Sequence, residues 1–299
     1  MIPHYPYFGV EWKIIPLPIT FPPQHQDRHP GFEYEMVPPP IFDNPAYQGS
    51  GKLLHRVAII TGGDSGIGRA VAVAFAKEGA DLLLVYLNEE EDARFTREYV
   101  EKFGRRVITL PIDLREPQNS REIVETALRH FGKIDVLVNN AAVQYEQPSL
   151  FEISNEQLEN TFRTNVFSYF YLTREVLPYL ASGSSIINTA SITAYQGEKT
   201  LIDYSASKGA VVTFTRSLSL NLVNKGIRVN AVSPGPVWTP LIPSSFSAER
   251  VAHFGLETPM RRAAQPFELA PAYVYLASDD SSYVTGQVIH VNGGAMVES

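Results

Sequence analysis

Seven short apolar runs, RVAIIT, DLLLVY, RVITLPI, IDVLVNN, SSIINTA, IRVNAV and QVIHV, recur along the chain from Arg56 onward. Several are too continuously apolar to leave one face in water, the pattern of strands covered on both sides. Between them lie segments of helical periodicity starting near Ser65, Glu89, Gln118, Glu156, Asp203 and Phe267. Strands alternating with helices give parallel neighbours joined by crossovers. The expected fold class is therefore α/β, a doubly wound, seven-stranded, mostly parallel sheet with helices on both faces.

Residues 1–50 have a different character, with PLP, FPP and VPPP and no periodic pattern. Proline removes a backbone donor and restricts the residue before it, so an irregular proline-rich arm is expected at 1–50 and a single domain at 51–299. Tyr5, Tyr7, Phe8, Trp12, Phe32, Tyr34 and Phe42 leave two readings of the arm open: a disordered leader, or a strap laid across the domain or a neighbouring subunit.

Composition removes several classes of function. Without cysteine there is no disulfide, thiolate nucleophile or thiolate metal site, and the 7 histidines form no ligand cluster, so no metal is expected. With 25 basic and 32 acidic residues the net charge of -7 offers no general attraction for nucleic acid or an anionic membrane. Runs such as AVAVAFA fall well short of the roughly 20 residues that span a bilayer. The N-terminus lacks a basic region followed by a continuous apolar one, and a cytoplasmic location is expected.

The first strand leads into Thr61-Gly62-Gly63-Asp64-Ser65-Gly66-Ile67-Gly68-Arg69, which opens an amphipathic helix. Glycines permit a tight turn and close approach, and the helix start presents free N–H groups and a positive dipole end, so the strand, turn and helix suit a dinucleotide diphosphate. Further along, Tyr204 and Lys208 in YSASK stand at i and i+4, on one helical face, where an ammonium could favour the tyrosinate. Taken alone that string reads more often as helix decoration than as a catalytic site.

The spacing Gly-x-x-x-Gly-x-Gly resembles that of the classical short-chain dehydrogenase/reductase family, and the resemblance runs from about residue 54 to residue 294. The whole sequence also resembles a bacterial, stress-associated subgroup with a proline-rich N-terminal extension. The resemblance implies a Rossmann fold in which Asn165, Ser191, Tyr204 and Lys208 are catalytic. Tyr204 is then the acid or base, Lys208 the cation beside it and a contact to the nicotinamide ribose, and Ser191 a hydrogen-bond partner of the substrate oxygen. Asn165 helps hold a water leading from Lys208 to solvent. An unperturbed phenol has a pKa near 10, so a neighbouring cation is wanted to stabilise its ionised form.

The implied cofactor contacts are Gly62, Ser65, Gly66, Ile67 and Gly68 at the turn, and Tyr86 at the end of the second strand. To these the resemblance adds Asp113 with Leu114 at the adenine, Asn140, Ala141 and Ala142 beside the sheet, Tyr204 and Lys208 themselves, and Pro234, Gly235, Val237 and Thr239 at the carboxamide. Ala142 departs from the family's usual glycine, and Asp113 by itself reads rather as a helix-side cap or a surface acid. Residues 241–262 are expected to form a substrate lid, with Phe246, Phe254 and Met260 as candidate apolar lining and His253 at the surface.

The cofactor expected is NAD(H) in preference to NADP(H). Neither an acid nor an arginine ends the second strand, Ser65 is not basic, and Glu89, Glu90, Glu91 and Asp92 would repel a 2'-phosphate if they face it. If they turn to solvent that argument weakens. The function expected is reversible hydride transfer between the nicotinamide cofactor and the carbonyl or alcohol carbon of a small uncharged substrate. The competing class is a catalytically inactive dinucleotide sensor or interaction protein on the same fold. A homotetramer is the assembly the resemblance implies.

Overall fold

The computed structural model describes residues 10–12 and 15–297. Strands β1 (Val10–Trp12) and β2 (Pro16–Pro18) form a small antiparallel pair in the arm. The main sheet is made of β3 (Val57–Thr61), β4 (Asp81–Tyr86), β5 (Val107–Pro111), β6 (Val136–Asn139), β7 (Ser185–Thr189), β8 (Arg228–Pro234) and β9 (Val288–Val291). The helices are α1 (Gly66–Lys77), α2 (Glu90–Glu101), α3 (Asn119–Phe131), α4 (Asn155–Phe162), α5 (Ser168–Val176), α6 (Thr193–Gln196), α7 (Ile202–Leu222), α8 (Leu241–Ser245), α9 (Ala248–Ala252) and α10 (Pro266–Ala277). Among the described residues no helix is long and apolar enough to cross a membrane.

The seven strands run in the order β5-β4-β3-β6-β7-β8-β9, and every neighbouring pair is parallel. The chain builds outward from β3 to β5 and then returns to place β6 on the other side of β3. The direction of winding reverses between β3 and β6, and a crevice opens there at the carboxyl ends of the strands. This is the doubly wound Rossmann arrangement that the strand pattern calls for.

Successive residues of each strand face opposite layers. Ile60, Leu82 and Leu84 pack against Val71 and Phe75 of α1 and Leu269 and Tyr273 of α10. Their neighbours Ile59, Leu83 and Val85 pack against Ile123 and Val124 of α3, Leu172 of α5 and Leu222 of α7. Burying each such Leu or Ile contributes about 1.5–3 kcal/mol, and both faces need it, which is why the strands read as unbroken apolar runs.

The arm lies on its own chain. Leu17, Phe21 and Met36 are buried in a cluster with Trp238, Ile242 and Phe246. Phe21 stacks on Trp238 with ring centres 3.7 Å apart, and the Trp238 indole N–H donates to the Pro38 carbonyl at 2.9 Å. Farther along, the Phe267 N–H donates to Ile41 O at 3.1 Å. Of the arm's aromatic residues, Tyr5, Tyr7, Phe8 and the side chain of Trp12 lie outside the described residues.

Candidate active site

A cleft of about 530 Å³ lies at the switch point, and every candidate catalytic and cofactor-binding residue lines it except Gly68 and Asn165. Its floor is knitted by the end of β3. The Thr61 hydroxyl oxygen accepts from the N–H groups of Asn140 at 2.8 Å and Ala141 at 3.1 Å. In return the Asn140 amide donates to the carbonyls of Thr61 and Gly62. This fixes the Asn140–Ala142 run beside the glycine turn.

Gly68 works from behind the cleft. A Cβ there would stand 1.8 Å from the Gly62 carbonyl oxygen, so only glycine lets the first turn of α1 close against the preceding loop. Gly62 and Gly66 have φ of +60° and +51°, the left-handed region that disfavours side chains. The turn and the N-terminus of α1 thus present the backbone that a dinucleotide diphosphate needs.

Ser191, Tyr204 and Lys208 come together on the far wall, where the end of β7 meets α7. All three are buried, with exposures of 7%, 8% and 1%. Burial pushes the Tyr204 phenol up to about 12, while a hydrogen bond with Ser191 pulls it back. The same burial lowers the Lys208 ammonium to about 7. Lys208 Nζ donates to the Thr189 carbonyl at 2.8 Å and sits 5.7 Å from the centre of the Tyr204 ring. The Ser191 hydroxyl oxygen accepts from the Thr193 N–H at 3.2 Å and the Thr193 hydroxyl at 3.1 Å, which fixes its orientation.

Asn165 is fully buried within a π-helical stretch, Arg163–Phe167, inserted between α4 and α5. Such insertions recur at functional sites because they re-aim side chains. Its carboxamide accepts from the Val143 N–H and donates to the Val143 carbonyl, both at 2.8 Å, and also donates to the Ser207 hydroxyl at 3.0 Å. Ser207 lies between Tyr204 and Lys208 on α7. Asn165 therefore ties the loop after β6 to the helix that carries the tyrosine.

Asp113 lines the cleft and is gripped by Arg115, whose hydrogen bonds hold the carboxyl below the usual range. In the segment 241–262, Phe246 and Phe254 line the cleft, whereas Met260 is 62% exposed and lies outside it. His253 is at the surface, its ring against the Glu249 carbonyl at 3.1 Å. Arg250 of α9 donates to the Glu146 carboxylate and, at 2.8 Å, to the Thr200 hydroxyl, joining this segment to the opposite rim.

The arm supplies part of the site that no local sequence signal announces. His29, Pro30 and Gly31 line the cleft, the His29 ring meeting Tyr145 edge-on at 4.8 Å. Glu33 reaches beneath the glycine turn. Its carboxylate accepts from the Gly66 N–H at 2.5 Å and pairs with Arg69, while Asp92 pairs with Arg69 at 3.1 Å and accepts from the Glu33 N–H at 2.7 Å. Desolvation raises Glu33 to about 7 against the opposing pull of Arg69.

The four acids after β4 do not form a common negative wall. Glu91 pairs with Arg94 on the solvent side at 2.7 Å, Glu90 accepts from the Tyr86 hydroxyl at 2.6 Å, and Asp92 is committed to Arg69. Of the four only Glu89 lines the cleft. Its carboxylate accepts from the Leu87 and Asn88 N–H groups at 3.2 and 3.1 Å, and the arm brings the Arg28 guanidinium to 3.8 Å from it and 2.8 Å from the Asn88 side chain. One of the four carboxylates rather than all four faces the cleft, and it is paired with an arginine, so the argument for NAD(H) from a shared repulsive field does not hold.

Comparison with known proteins bears on the same point. A protein-family model described as enoyl-(acyl carrier protein) reductase matches residues 62–296. An uncharacterized oxidoreductase of Bacillus subtilis, YhxC, is 62% identical over 93% of this chain and 97% of its own. General stress protein 39 of the same organism is 53% identical over 94% and 98%. The chloroplastic NADPH-dependent aldehyde reductase 1 of Arabidopsis thaliana is 52% identical over 92% and 98%. Among solved structures, a short-chain dehydrogenase of Burkholderia cenocepacia in complex with NADP has a TM-score of 0.77 at 28% identity, covering 82% of this chain and 99% of its own.

Relatives that use NADPH or hold NADP overturn the expected preference for NAD(H), and the dispersal of the acids gives the physical reason. The aligned length, the seven-stranded parallel sheet and the clustering of Ser191, Tyr204 and Lys208 at its switch point lead to one conclusion: the chain belongs to the classical short-chain dehydrogenase/reductase family and is an NAD(P)-dependent oxidoreductase.

Proposed function

We propose that Tyr204 exchanges the proton in a reversible interconversion of a small carbonyl compound and its alcohol. The observation that carries this reading is the convergence of Tyr204, Ser191 and Lys208 on one wall of the cleft. As hydride reaches a carbonyl carbon, negative charge develops on oxygen and needs a proton donor within hydrogen-bond reach. A phenol held at about 12 stays protonated at neutral pH and is ready to donate. The Ser191 hydroxyl, oriented by Thr193, shares the same oxygen.

Lys208 makes the return step accessible. When protonated, its ammonium, 5.7 Å from the centre of the Tyr204 ring, would favour the tyrosinate over the phenol. Asn165 is a positioning residue: its bonds to Val143 and Ser207 hold the loop after β6 in register with α7. The bound nicotinamide dinucleotide would supply or accept the hydride. Gly62, Ser65, Gly66 and Ile67 would hold its diphosphate, Asp113 and Leu114 the adenine side, and Val237 and Thr239 the carboxamide.

The segment 241–262 is read as a lid, supported by Phe246 in the cleft wall and by the Arg250 link across it. Residues 15–50 of the arm are read as a fixed part of the catalytic unit, shared with the stress-associated relatives. Alignment with General stress protein 39 covers 94% of this chain, more than residues 51–299 alone supply. A homotetramer is supported by apolar side chains left exposed on α5 and α7, Phe170 at 49% and Leu220 at 77%.

The test is Tyr204→Phe. Turnover of aldehydes is expected to fall by about a hundredfold to ten-thousandfold, while titration with NADPH and with NADH gives unchanged affinities. Cofactor binding without turnover of any carbonyl or alcohol by the unaltered protein would instead favour an inactive dinucleotide sensor.

A further inference from the structure

Residues 26–32 of the arm form a loop closed at its base by its own ends. The Gln26 side chain donates to the Phe32 carbonyl at 2.8 Å and accepts from the Phe32 N–H at 2.7 Å. Within the loop the Arg28 guanidinium lies 3.4 Å from the centre of the Phe32 ring and donates to the Pro30 carbonyl at 2.6 Å. On either side the chain is pinned by buried contacts, Phe21 stacked on Trp238 and Glu33 paired with Arg69. The loop is thus a preformed unit held between two fixed posts.

Its outward contacts fall on both sides of the switch point. Toward β4, Arg28 donates to the Asn88 side chain at 2.8 Å. Toward β6 the His29 ring meets Tyr145 at 4.8 Å, and toward β8 the Gln26 N–H donates to the Pro243 carbonyl at 2.9 Å. Gly31 lies so close to the chain after β8 that a Cβ on it would stand 2.5 Å from the Pro240 carbonyl oxygen. In the sheet β4 is on one side of β3, and β6 and β8 are on the other. A segment that touches the chain after all three, with His29, Pro30 and Gly31 lining the cleft, crosses over it. Glu33, bound to the Gly66 N–H, fixes the crossing near the glycine turn after β3, between Asp113 after β5 and Ser191 after β7.

We propose that the loop 26–32 is the outer wall of the cofactor site, closed over the middle of the dinucleotide, so that the cofactor enters and leaves only when the loop lifts. The proposal rests on the reading of this cleft as a dinucleotide site. A nicotinamide dinucleotide reaching from Asp113 to Tyr204 passes between the glycine turn and the loop, with its diphosphate toward Gly62–Ile67. It does not slide out lengthwise, because the ring system at each end is broader than the diphosphate that joins them. The bonds that close the loop are few and lie on partly exposed side chains such as Arg28, so they part without unfolding the sheet. Short segments hinged between fixed points are the usual gates of ligand exchange.

The chain has no cysteine, so thiols introduced into it are the only ones present. Arg28→Cys with Asn88→Cys puts one thiol on the loop and one on the chain after β4, and a short bis-maleimide joins them. The control is the same double variant capped with N-ethylmaleimide. Joined after saturation with NADPH, the protein is expected to keep the nucleotide through gel filtration and a chase with excess NADP+, while the capped control releases it. Joined beforehand, it should take up NADPH at least about tenfold more slowly than the control. Gln26→Ala removes both bonds at the base of the loop and should speed NADPH entry and exit alike by about tenfold, with Kd changed less than about threefold. Arg28→Ala serves the same comparison if Gln26→Ala does not fold, and NADH replaces NADPH throughout if the unaltered protein binds it more tightly.

Joined protein that exchanges NADPH as fast as the control overturns the proposal. So does faster exit alone with a matching loss of affinity, which would make the loop a contact and not a gate. Every readout is binding or release, so an inactive dinucleotide sensor gives the same results and absence of turnover bears only on the role of Tyr204. An unaltered protein that binds neither NADPH nor NADH overturns both readings.

Discussion

Replacing Lys208 by methionine keeps most of the length of the side chain and removes the ammonium from a position that is 1% exposed. Burial lowers that ammonium from 10.5 to about 7. The difference of about 3.5 pK units corresponds to about 5 kcal/mol by which the folded chain holds the proton less well than the unfolded chain. Against this, the substitution leaves the Thr189 carbonyl without its donor, a loss of about 1–3 kcal/mol. Lys208→Met is therefore expected to be more stable than the unaltered protein at pH 7 by about 1–4 kcal/mol, and to have lost turnover.

The sign of the pH dependence follows from proton counts. Between pH 7 and 10.5 the unfolded chain binds a proton at Lys208 that the folded chain does not, so the unaltered protein gains stability as pH rises through this window. Below pH 7 both states are protonated and the variant's advantage is at its greatest. Near pH 10.5 the advantage vanishes and the missing hydrogen bond leaves the variant slightly the less stable. Urea unfolding of the cofactor-free proteins at about pH 6, 8 and 10, at one fixed protein concentration, reads this directly. A variant less stable than the unaltered protein at pH 7, or a gap that does not change with pH, would refute the electrostatic reasoning.

Two further outcomes test the arm. Phe21→Ala empties a fully buried ring position stacked on Trp238 and is expected to cost about 3–5 kcal/mol in urea unfolding, with new protease cleavage before residue 50. Glu33, raised from 4.5 to about 7, keeps a proton in the folded chain that the unfolded chain releases, so its contribution to stability falls as pH rises across that interval. Glu33→Gln should flatten that part of the stability profile, and an unchanged slope between pH 4.5 and 7 would remove Glu33 as its source.

The strands, the glycine turn and the Tyr204–Lys208 pair were legible because each is written in local spacing. A strand buried on both faces must be apolar at consecutive positions, a left-handed turn needs glycine, and i and i+4 share a helical face whatever the rest of the chain does. The resemblance to a known family added the roles of Ser191 and Asp113, which isolated residues do not disclose. Met260 shows the limit of that route, since its place in a segment marked as a lid did not put it in the cleft.

Other features depended on contacts between distant parts of the chain. Phe21 and Trp238 meet only once the sheet has brought the turn after β8 beneath the arm, and Glu33 finds Arg69 only after α1 has docked. The run Glu89–Asp92 reads as one block of charge, yet helical geometry and the positions of Arg69, Tyr86 and Arg94 send its four carboxylates different ways. The sequence by itself determined the layers, the turn and the placing of Tyr204 and Lys208 on one helical face, because backbone periodicity and glycine stereochemistry act over a few residues. The packed structure alone decided which charges face the cleft and which turn away from it, because burial and charge pairing are properties of neighbours that the order of residues does not reveal.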